Sequence, residues 1–199
     1  RESAEAGLEI MRELSAADPS DEDIQERFAS ALARLADVQS QSAQLGLALE
    51  NYQACLAIRR RLVEVDPSNR NSQRNLAIAL DDVALALQRS GNPRQGLEIA
   101  LEALELRREL ADIDSTDLKA QRDLSVSLVN LGEIWLQLGN TNEGLSAFQE
   151  SLSVRRLITE LDPANAQAQR DLAIVLHKIG EFHLLQRDLA AAKTAWEEC

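Results

Sequence analysis

The chain is poor in the residues that would point to disulfides, strands or membrane spans. Its 199 residues include two cysteines, four prolines and eight glycines, and only 3 % are aromatic. Two cysteines make no disulfide framework, and the lack of β-branched runs argues against strands. No apolar run approaches the roughly 18 residues that a membrane helix needs, and no signal segment opens the chain. Ala, Leu, Glu, Gln and Arg dominate instead, and because these residues favour helices we expect an all-α fold.

Positive charge is also scarce. The chain has 21 Lys and Arg against 33 Asp and Glu, which makes the formal net charge −12. An acidic surface repels phosphate backbones, so nucleic acid is not expected as a partner, and no feature points to a membrane. The small number of cysteines and the missing signal segment favour a reducing, cytoplasmic setting.

A segment that begins with aspartate recurs through the chain. It starts at Asp18, Asp66, Asp114 and Asp162, always 48 residues apart. Repetition at an interval of about 20–50 residues is typical of solenoids and arrays, in which each unit buries its apolar face against the next.

Each unit contains two amphipathic stretches. In the third unit, apolar residues at steps of three and four predict one helix over 117–139 and another over 143–161. The first helix carries Leu124, Leu128, Leu131, Trp135 and Leu138, and the second carries Leu145, Phe148, Leu152 and Leu157. Gly139 is expected to end the first helix, and Thr141 or Asn142 to cap the second. Asp162-Pro163 ends the second helix, because a residue before proline avoids the α conformation.

Within each unit the spacing resembles the tetratricopeptide repeat, a helix hairpin of about 34 residues. The third unit matches the family pattern at Leu131-Gly132, Trp135, Gly139, Gly144, Phe148 and Ser151. The fourth unit matches it at Ile179-Gly180, His183, Ala192, Trp196 and Cys199. The resemblance implies a right-handed α-solenoid of antiparallel helix hairpins, with about nine helices. The unit is longer than the family's usual one, and in length it is closer to the long repeats of kinesin light chain.

The repeat divides the chain as follows. We interpret 1–199 as a single array, in which 1–16 is the second helix of a preceding repeat. Three full repeats span 18–65, 66–113 and 114–161, and 162–199 is a truncated repeat. Neither end shows a polar capping helix, which solenoids usually require. We therefore expect a segment of a longer protein, or a chain that pairs through its ends.

The residues that could carry chemistry have structural interpretations. His177 and His183 are six residues apart, whereas two metal ligands on one helix need a separation of three or four. His183 takes the position of Trp135 and is expected to pack as an aromatic, while His177 is a candidate for a ligand contact. Cys55 and Cys199 share a repeat position with Ala103 and Ser151, so a small filler at a helix contact is expected. No catalytic motif, metal site or cofactor site is recognised, and we do not expect an enzyme.

Two basic motifs recur with the repeat. Arginines recur within the last two turns of each second helix, at Arg59-Arg60-Arg61, Arg107-Arg108 and Arg155-Arg156. They indicate charge matching at helix ends with salt bridges to acidic neighbours; alternatively, they form an arginine ladder that receives an acidic partner. Gln-Arg pairs recur at 73–74, 121–122 and 169–170, and hydrogen bonding between repeats is the simpler interpretation of these.

In tetratricopeptide proteins the first helices line a groove that holds a peptide. Carried onto this sequence, the resemblance implies a groove site made of Arg34, Asp37, Asp81, Asp82, Arg89, Asn130, Glu133, His177, Lys178 and Glu181. Family members that clamp a C-terminal carboxylate use Lys, Asn and Arg at such positions, whereas acidic residues prevail here. A basic or mixed apolar and basic partner segment therefore suits the site better.

The sequence thus predicts a non-enzymatic scaffold for protein–protein interaction. It would bind a partner segment or a neighbouring domain, as the sensor or scaffold part of a larger regulatory protein. The long repeats resemble those of large bacterial multidomain proteins, so a bacterial source is expected. The alternative is a spacer that forms homo-oligomers through its uncapped ends.

Overall fold

A computed structural model describes the backbone of residues 2–199 and the side chains from Gly7 onward. Over this range the chain forms nine α-helices and no strand, which confirms the all-α prediction. The helices are α1 Glu2–Ala17, α2 Glu22–Gln41, α3 Leu45–Val65, α4 Arg70–Arg89, α5 Pro93–Ile113, α6 Leu118–Gln137, α7 Thr141–Leu161, α8 Ala166–Leu185 and α9 Leu189–Glu197.

The helix bounds repeat with the sequence. The first helices of the hairpins, α2, α4, α6 and α8, begin at 22, 70, 118 and 166, and the second helices, α3, α5, α7 and α9, begin at 45, 93, 141 and 189. The chain divides inside α5 into two compact units, of which the first ends at Leu106 and the second spans Arg107–Cys199. From here on, the first and second unit are these two parts of the chain, and a 48-residue segment is called a repeat. In the first unit α1 packs on α2, α2 on α3 and α3 on α4; in the second, α6 packs on α7, α7 on α8 and α8 on α9.

In the first three 48-residue repeats, the opening aspartate stabilises a turn with its side chain. The Asp66 carboxylate accepts hydrogen bonds from the backbone amide and the hydroxyl of Ser68, at 3.0 and 2.7 Å. Asp18 and Asp114 make the same pair of bonds. Three residues after each of the four recurring aspartates, Asp162 included, an Asp or Asn side chain caps the next helix by accepting from its first amides. The caps are Asp21, Asn69, Asp117 and Asn165.

The turn inside each hairpin uses a left-handed residue. Gly91 and Gly139 have φ values of 81° and 83°, and Ala43 and Arg187 hold the same position with φ values of 58° and 62°. Gly139 therefore follows the end of α6, as expected. The expected cap at Thr141 or Asn142 was wrong, because Asn140 is the N-cap residue and α7 already begins at Thr141.

The core of each unit lies between its helices. Leu32, Leu80 and Val83 are buried in the first unit, and Phe148, Val175 and Ile179 in the second. Of the apolar face predicted for α7, Phe148 is buried but Leu157 is 45 % exposed, while its neighbour Ile158 is buried. The assignment of Leu157 to the core was thus wrong by one residue, a rotation of about 100° around the helix.

Glycine allows the two helices of a hairpin to approach closely at the family's Leu-Gly position. A Cβ atom on Gly132 would lie 2.5 Å from the ring of Phe148, and one on Gly180 would overlap the ring of Trp196. The aromatic residue of the second helix therefore rests directly on the backbone of the first helix.

Candidate functional site

The predicted groove residues of the second unit come together on α6 and α8. The Lys178 ammonium lies 2.9 Å from the Glu133 carboxylate, across the two helices, and 3.7 Å from that of Glu181 on its own helix. The hydrogen bond from Lys178 to Glu133 raises the pKa of the ammonium, since it stabilises the charged form against partial burial. Glu181 also lies 3.5 Å from the imidazole of His177.

These charges stand at the rim of a cavity of about 410 Å³ with a largely apolar wall. We call it the α6–α8 pocket. Its lining residues are Glu133, Leu136, Phe148, Lys178, Glu181, Phe182, Leu184 and Leu185. Phe148 and Phe182 are buried, whereas Leu184 is 46 % and Leu185 78 % exposed. The pocket can take up an apolar side chain, and its rim offers carboxylates to a cation.

The remaining predicted residues of the second unit lie near this pocket without lining it. Asn130 is half-buried on α6, and His177 is exposed on α8, with its ring centroid 6.3 Å from that of Trp196. His183 is half-buried, and its ring meets that of Phe182 edge-on at 5.4 Å, as expected for a packed aromatic. Among the described residues, no group of three or more His, Cys, Asp or Glu side chains is arranged to hold a metal ion.

The corresponding surface of the first unit, two repeats earlier, is polar. We call it the α2–α4 surface; it consists of Asp37, Ser40, Tyr52, Asp82, Leu85, Ala86, Gln88 and Arg89. The Tyr52 hydroxyl donates a hydrogen bond of 2.6 Å to the Asp37 carboxylate. The Arg89 guanidinium donates one of 3.2 Å to the Ser40 hydroxyl. Burial, followed by the bond to Asp37, raises the pKa of Tyr52, because both disfavour the phenolate.

Three predicted residues of the first unit differ in accessibility. Arg34 is exposed on α2, and Asp82 is half-buried on α4. Asp81 is only 8 % exposed, so its carboxylate faces the interior and does not belong to the accessible set. The sequence could not distinguish Asp81 from Asp82, because consecutive residues of a helix differ by a rotation that only the packing of α4 assigns to the inside or the outside.

Sequence reasoning missed the apolar part of the site. Leu136, Leu184 and Leu185 take the places of Ser40, Gln88 and Arg89 in the first unit. Aligning the repeats would have revealed Leu185. The equivalent residues of the three earlier repeats, Gln41, Arg89 and Gln137, are all polar.

The paired arginines have two different structural roles. The first of each pair is buried, with Arg59, Arg107 and Arg155 between 4 and 6 % exposed. Arg59 donates to the backbone carbonyl of Asn75, Arg107 pairs with Asp123 at 3.0 Å, and Arg155 donates to the carbonyl of Asp171. In each case a second helix is joined to the first helix of the following repeat.

The second arginine of each pair forms a ladder of ion pairs on the surface. Arg60 lies 2.6 Å from Glu102, Arg108 lies 2.8 Å from Glu150, and Arg156 pairs with Glu198. Arg12, at the same repeat position, pairs with Glu9 in its own helix. The expected salt bridges to acidic neighbours are confirmed, and because these glutamates already occupy the ladder, the alternative of an acidic partner loses its support.

The other recurring residues are structural as well. The amide of Gln73 donates to the carbonyl of Pro67, and that of Gln169 to the carbonyl of Pro163, at 2.8 and 2.7 Å. Arg122 pairs with Asp171 on α8 at 2.5 Å, so the expected bonding between repeats is confirmed there. Cys55 is buried, and burial raises the pKa of its thiol to about 11, which makes the thiol a poor nucleophile.

Comparison with known proteins identifies the repeat. The tetratricopeptide repeat family is matched by residues 76–117, which cover most of α4, all of α5 and the turn that follows. This segment is similar to a tetratricopeptide repeat. This match confirms the resemblance predicted from the sequence. The helix bounds that recur every 48 residues continue through the described part of the chain. No curated protein is similar enough to the chain to count as a relative.

Three solved structures with the same fold match nearly the whole length of this chain. BtubC (BKLC) from P. vanneervenii has a TM-score of 0.70 and 18 % identity, over 97 % of this chain and 68 % of its own. The apo form of RapI has a TM-score of 0.70 and 16 % identity, over 100 % of this chain and 48 % of its own. MamA (41-end) from Desulfovibrio magneticus RS-1 has a TM-score of 0.54 and 15 % identity, over 98 % of this chain and 83 % of its own.

At these identities the likeness establishes the fold, an all-α solenoid of helix hairpins, and no particular function. A tetratricopeptide repeat on such a fold supports a role as a scaffold for protein–protein interaction. In the described part of the chain, none of the helices has the length and apolar character needed to cross a membrane.

Proposed function

We propose that the chain is a non-enzymatic interaction scaffold that holds a partner segment against the first helices of its tetratricopeptide hairpins. The observation that carries this proposal is the α6–α8 pocket, where an apolar wall and a charged rim lie together on two first helices. Specific interfaces combine these elements, because an apolar anchor supplies affinity and charges at the rim supply orientation.

The partner segment in this proposal is basic or mixed apolar and basic. Asp37 and Asp82 stand on the α2–α4 surface, and Glu133 and Glu181 stand at the rim of the α6–α8 pocket. With a net charge of −12 over the chain, long-range attraction favours a cationic segment and accelerates its association.

We place the scaffold in the bacterial cytoplasm, within a larger regulatory protein. Cys55 and Cys199 are both free thiols, which suits a reducing compartment. No catalytic step belongs to the proposal, and the buried Cys55 thiol supports this view because its raised pKa keeps it protonated at neutral pH.

Charge reversal on the two surfaces tests the function. Peptides would be selected from a phage-displayed random library on the intact chain, and their affinities measured by titration calorimetry. Combining Asp82→Lys and Glu133→Lys should weaken the selected peptides at least tenfold, because two attractive charges become repulsive. The matched control combines Glu105→Lys and Glu160→Lys, which make the same charge change at exposed positions of second helices.

Circular dichroism and thermal melting would establish that both double variants keep the fold. Equal affinity of the peptides for the groove variant and the control variant would refute binding at the first helices. So would a library selection that yields no binding peptide.

A further inference from the structure

The two equivalent surfaces of the molecule differ in chemistry at the same positions. In the first unit, Arg89 on α4 donates a hydrogen bond to Ser40 on α2, so a polar pair spans the α2–α4 surface. In the second unit these two positions hold Leu185 and Leu136, and an open cavity of about 410 Å³ lies between α6 and α8. Each unit therefore serves as a reference for the other, because equivalent repeat positions carry different side chains.

We propose that the α6–α8 pocket binds one large apolar side chain of a partner peptide that carries a lysine or arginine close to it in sequence. The inference rests on the proposed function and narrows it, since it names the chemistry of the residue that anchors the partner. The apolar side chain fills the cavity beside Leu136, Leu184 and Leu185, and the cation meets the carboxylates at the rim.

Leu185 is the strongest indication that the pocket is a binding surface. It is 78 % exposed, although leucine gains free energy by leaving water. Gln41 and Gln137, at the same repeat position, are also exposed, even though each is followed by another hairpin in its own unit. This repeat position therefore faces solvent even where another hairpin follows. The exposure of Leu185 is thus not explained by the lack of a following hairpin. An apolar residue at an outward position, beside a cavity with an apolar wall, fits an anchor for a partner.

The charges at the rim select the cation. Lys178 is held between Glu133 and Glu181, at 2.9 and 3.7 Å, so its ammonium is already engaged with carboxylates. Glu181 keeps about half of its side chain exposed, and it can accept a hydrogen bond from an incoming ammonium or guanidinium. An acidic peptide would instead face two carboxylates and one occupied ammonium, which disfavours it.

Polar substitution of the pocket leucines tests the proposal. Leu185→Gln introduces the residue that the repeat carries at 41 and 137, so the fold should tolerate it, and Leu184→Gln repeats the test at the neighbouring position. The matched control is Leu157→Gln on α7, outside the pocket, which changes a leucine with the same exposed fraction as Leu184, 45 % against 46 %. The probes are the library-selected peptides, measured against all three variants and the unchanged chain.

We expect the selected peptides to share a large apolar residue within a few positions of a lysine or arginine. Their affinity should fall at least tenfold on Leu185→Gln and stay within twofold on Leu157→Gln, since burial of one leucine contributes about a tenfold factor or more. Replacing the apolar residue of a peptide by alanine should cause a similar loss.

Three outcomes would overturn the proposal. Peptides that lose affinity for the combined Asp82→Lys and Glu133→Lys variant but bind the Leu185→Gln variant unchanged would leave the proposed function standing and remove the pocket as its anchor. Acidic peptides would contradict the charge argument. A sedimentation mass that doubles with concentration for the unchanged chain, and does so no longer after Leu185→Gln, would show that a second copy covers the pocket.

Discussion

Ala43 and Arg187 occupy a backbone conformation in which a residue with a Cβ atom is strained. Both lie in the left-handed region, at the hairpin position where the two middle repeats have Gly91 and Gly139. Glycine lacks the steric conflict between Cβ and the backbone, which is why it is the common residue after the end of a helix. Two of the four hairpin turns thus contain a residue that the local geometry disfavours.

Glycine at these positions should stabilise the protein. We expect Ala43→Gly and Arg187→Gly each to raise the free energy of unfolding by about 0.5–1 kcal/mol, because relief of the left-handed strain exceeds the added freedom of the unfolded chain. Urea unfolding followed by circular dichroism measures the change. The reverse substitutions, Gly91→Ala and Gly139→Ala, provide the control and should lower stability; an increase in both would contradict the argument.

The α2–α4 surface and the α6–α8 pocket differ in polarity at one aromatic residue. Tyr52 and Phe148 hold the same repeat position, and both rings are buried. The Tyr52 hydroxyl reaches the Asp37 carboxylate, whereas the Phe148 ring forms part of the wall of the α6–α8 pocket. The aromatic residue thus carries a hydroxyl group where the surface is polar, in the first unit. It lacks one where the wall is apolar, in the second unit.

At the scale of helices, adjacent arginines hold the hairpins together in different ways. Arg155 is buried on α7, where its guanidinium donates to the Ser125 hydroxyl at 3.2 Å and to the carbonyl of Asp171. Arg156 is half-exposed and pairs with Glu198 near the end of α9. A buried group whose partners would be left unsatisfied contributes more to stability than an ion pair in water.

The two arginines should therefore differ in mutational cost. Arg155→Ala is expected to lower the free energy of unfolding by about 3 kcal/mol, through two lost hydrogen bonds and a cavity. Arg156→Ala should lower it by less than about 1 kcal/mol, and added salt should reduce its effect further, since water and ions screen exposed pairs. Chemical unfolding at low and high salt measures both values, and equal losses would show that burial is not the deciding factor.

The sequence pattern predicts the helices that carry these arginines, but not that Arg155 is buried and Arg156 exposed. The helix bounds were close, because glycine after α4 and α6, and Asp or Asn before each first helix, act on backbone groups a few residues away. Which arginine of a pair is buried depends on how α7 rotates against α6 and α8, and one residue corresponds to a rotation of about 100°. Leu157 and Ile158 on the same helix were confused for the same reason.

At the scale of the whole molecule, both units contain ionisable groups whose pKa is raised by folding, and such groups make the protein less stable at alkaline pH. The pKa of Tyr52 and of Cys55 is raised mainly by burial, and that of Lys178 by its bond to Glu133. The folded chain therefore holds these protons to a higher pH than the unfolded chain. Because the unfolded state then binds fewer protons, stability is complete below the unfolded pKa values and falls as pH rises through the folded ones.

The free energy of unfolding should thus decline above about pH 8.5, the ordinary pKa of an unfolded cysteine. For Cys55, whose pKa is raised to about 11, we expect a loss of about 1–3 kcal/mol between pH 9 and pH 11. Urea titrations across this range measure the loss. Cys55→Ala, which copies Ala103 of the next repeat, should give a shallower decline, and an identical slope for both proteins would contradict the assignment.

The sequence by itself determined the helices, their period of 48 residues, the turns between them and the acidic character of the chain. These properties depend on interactions within a few residues, or on composition, and both can be read along the chain. Only the tertiary structure decided that Asp81 points inward, that Arg60 meets Glu102, and that Leu184 and Leu185 open onto a cavity. Such relations join atoms on different helices, so they depend on how each helix is rotated and spaced against its neighbours, which the local pattern of residues does not specify.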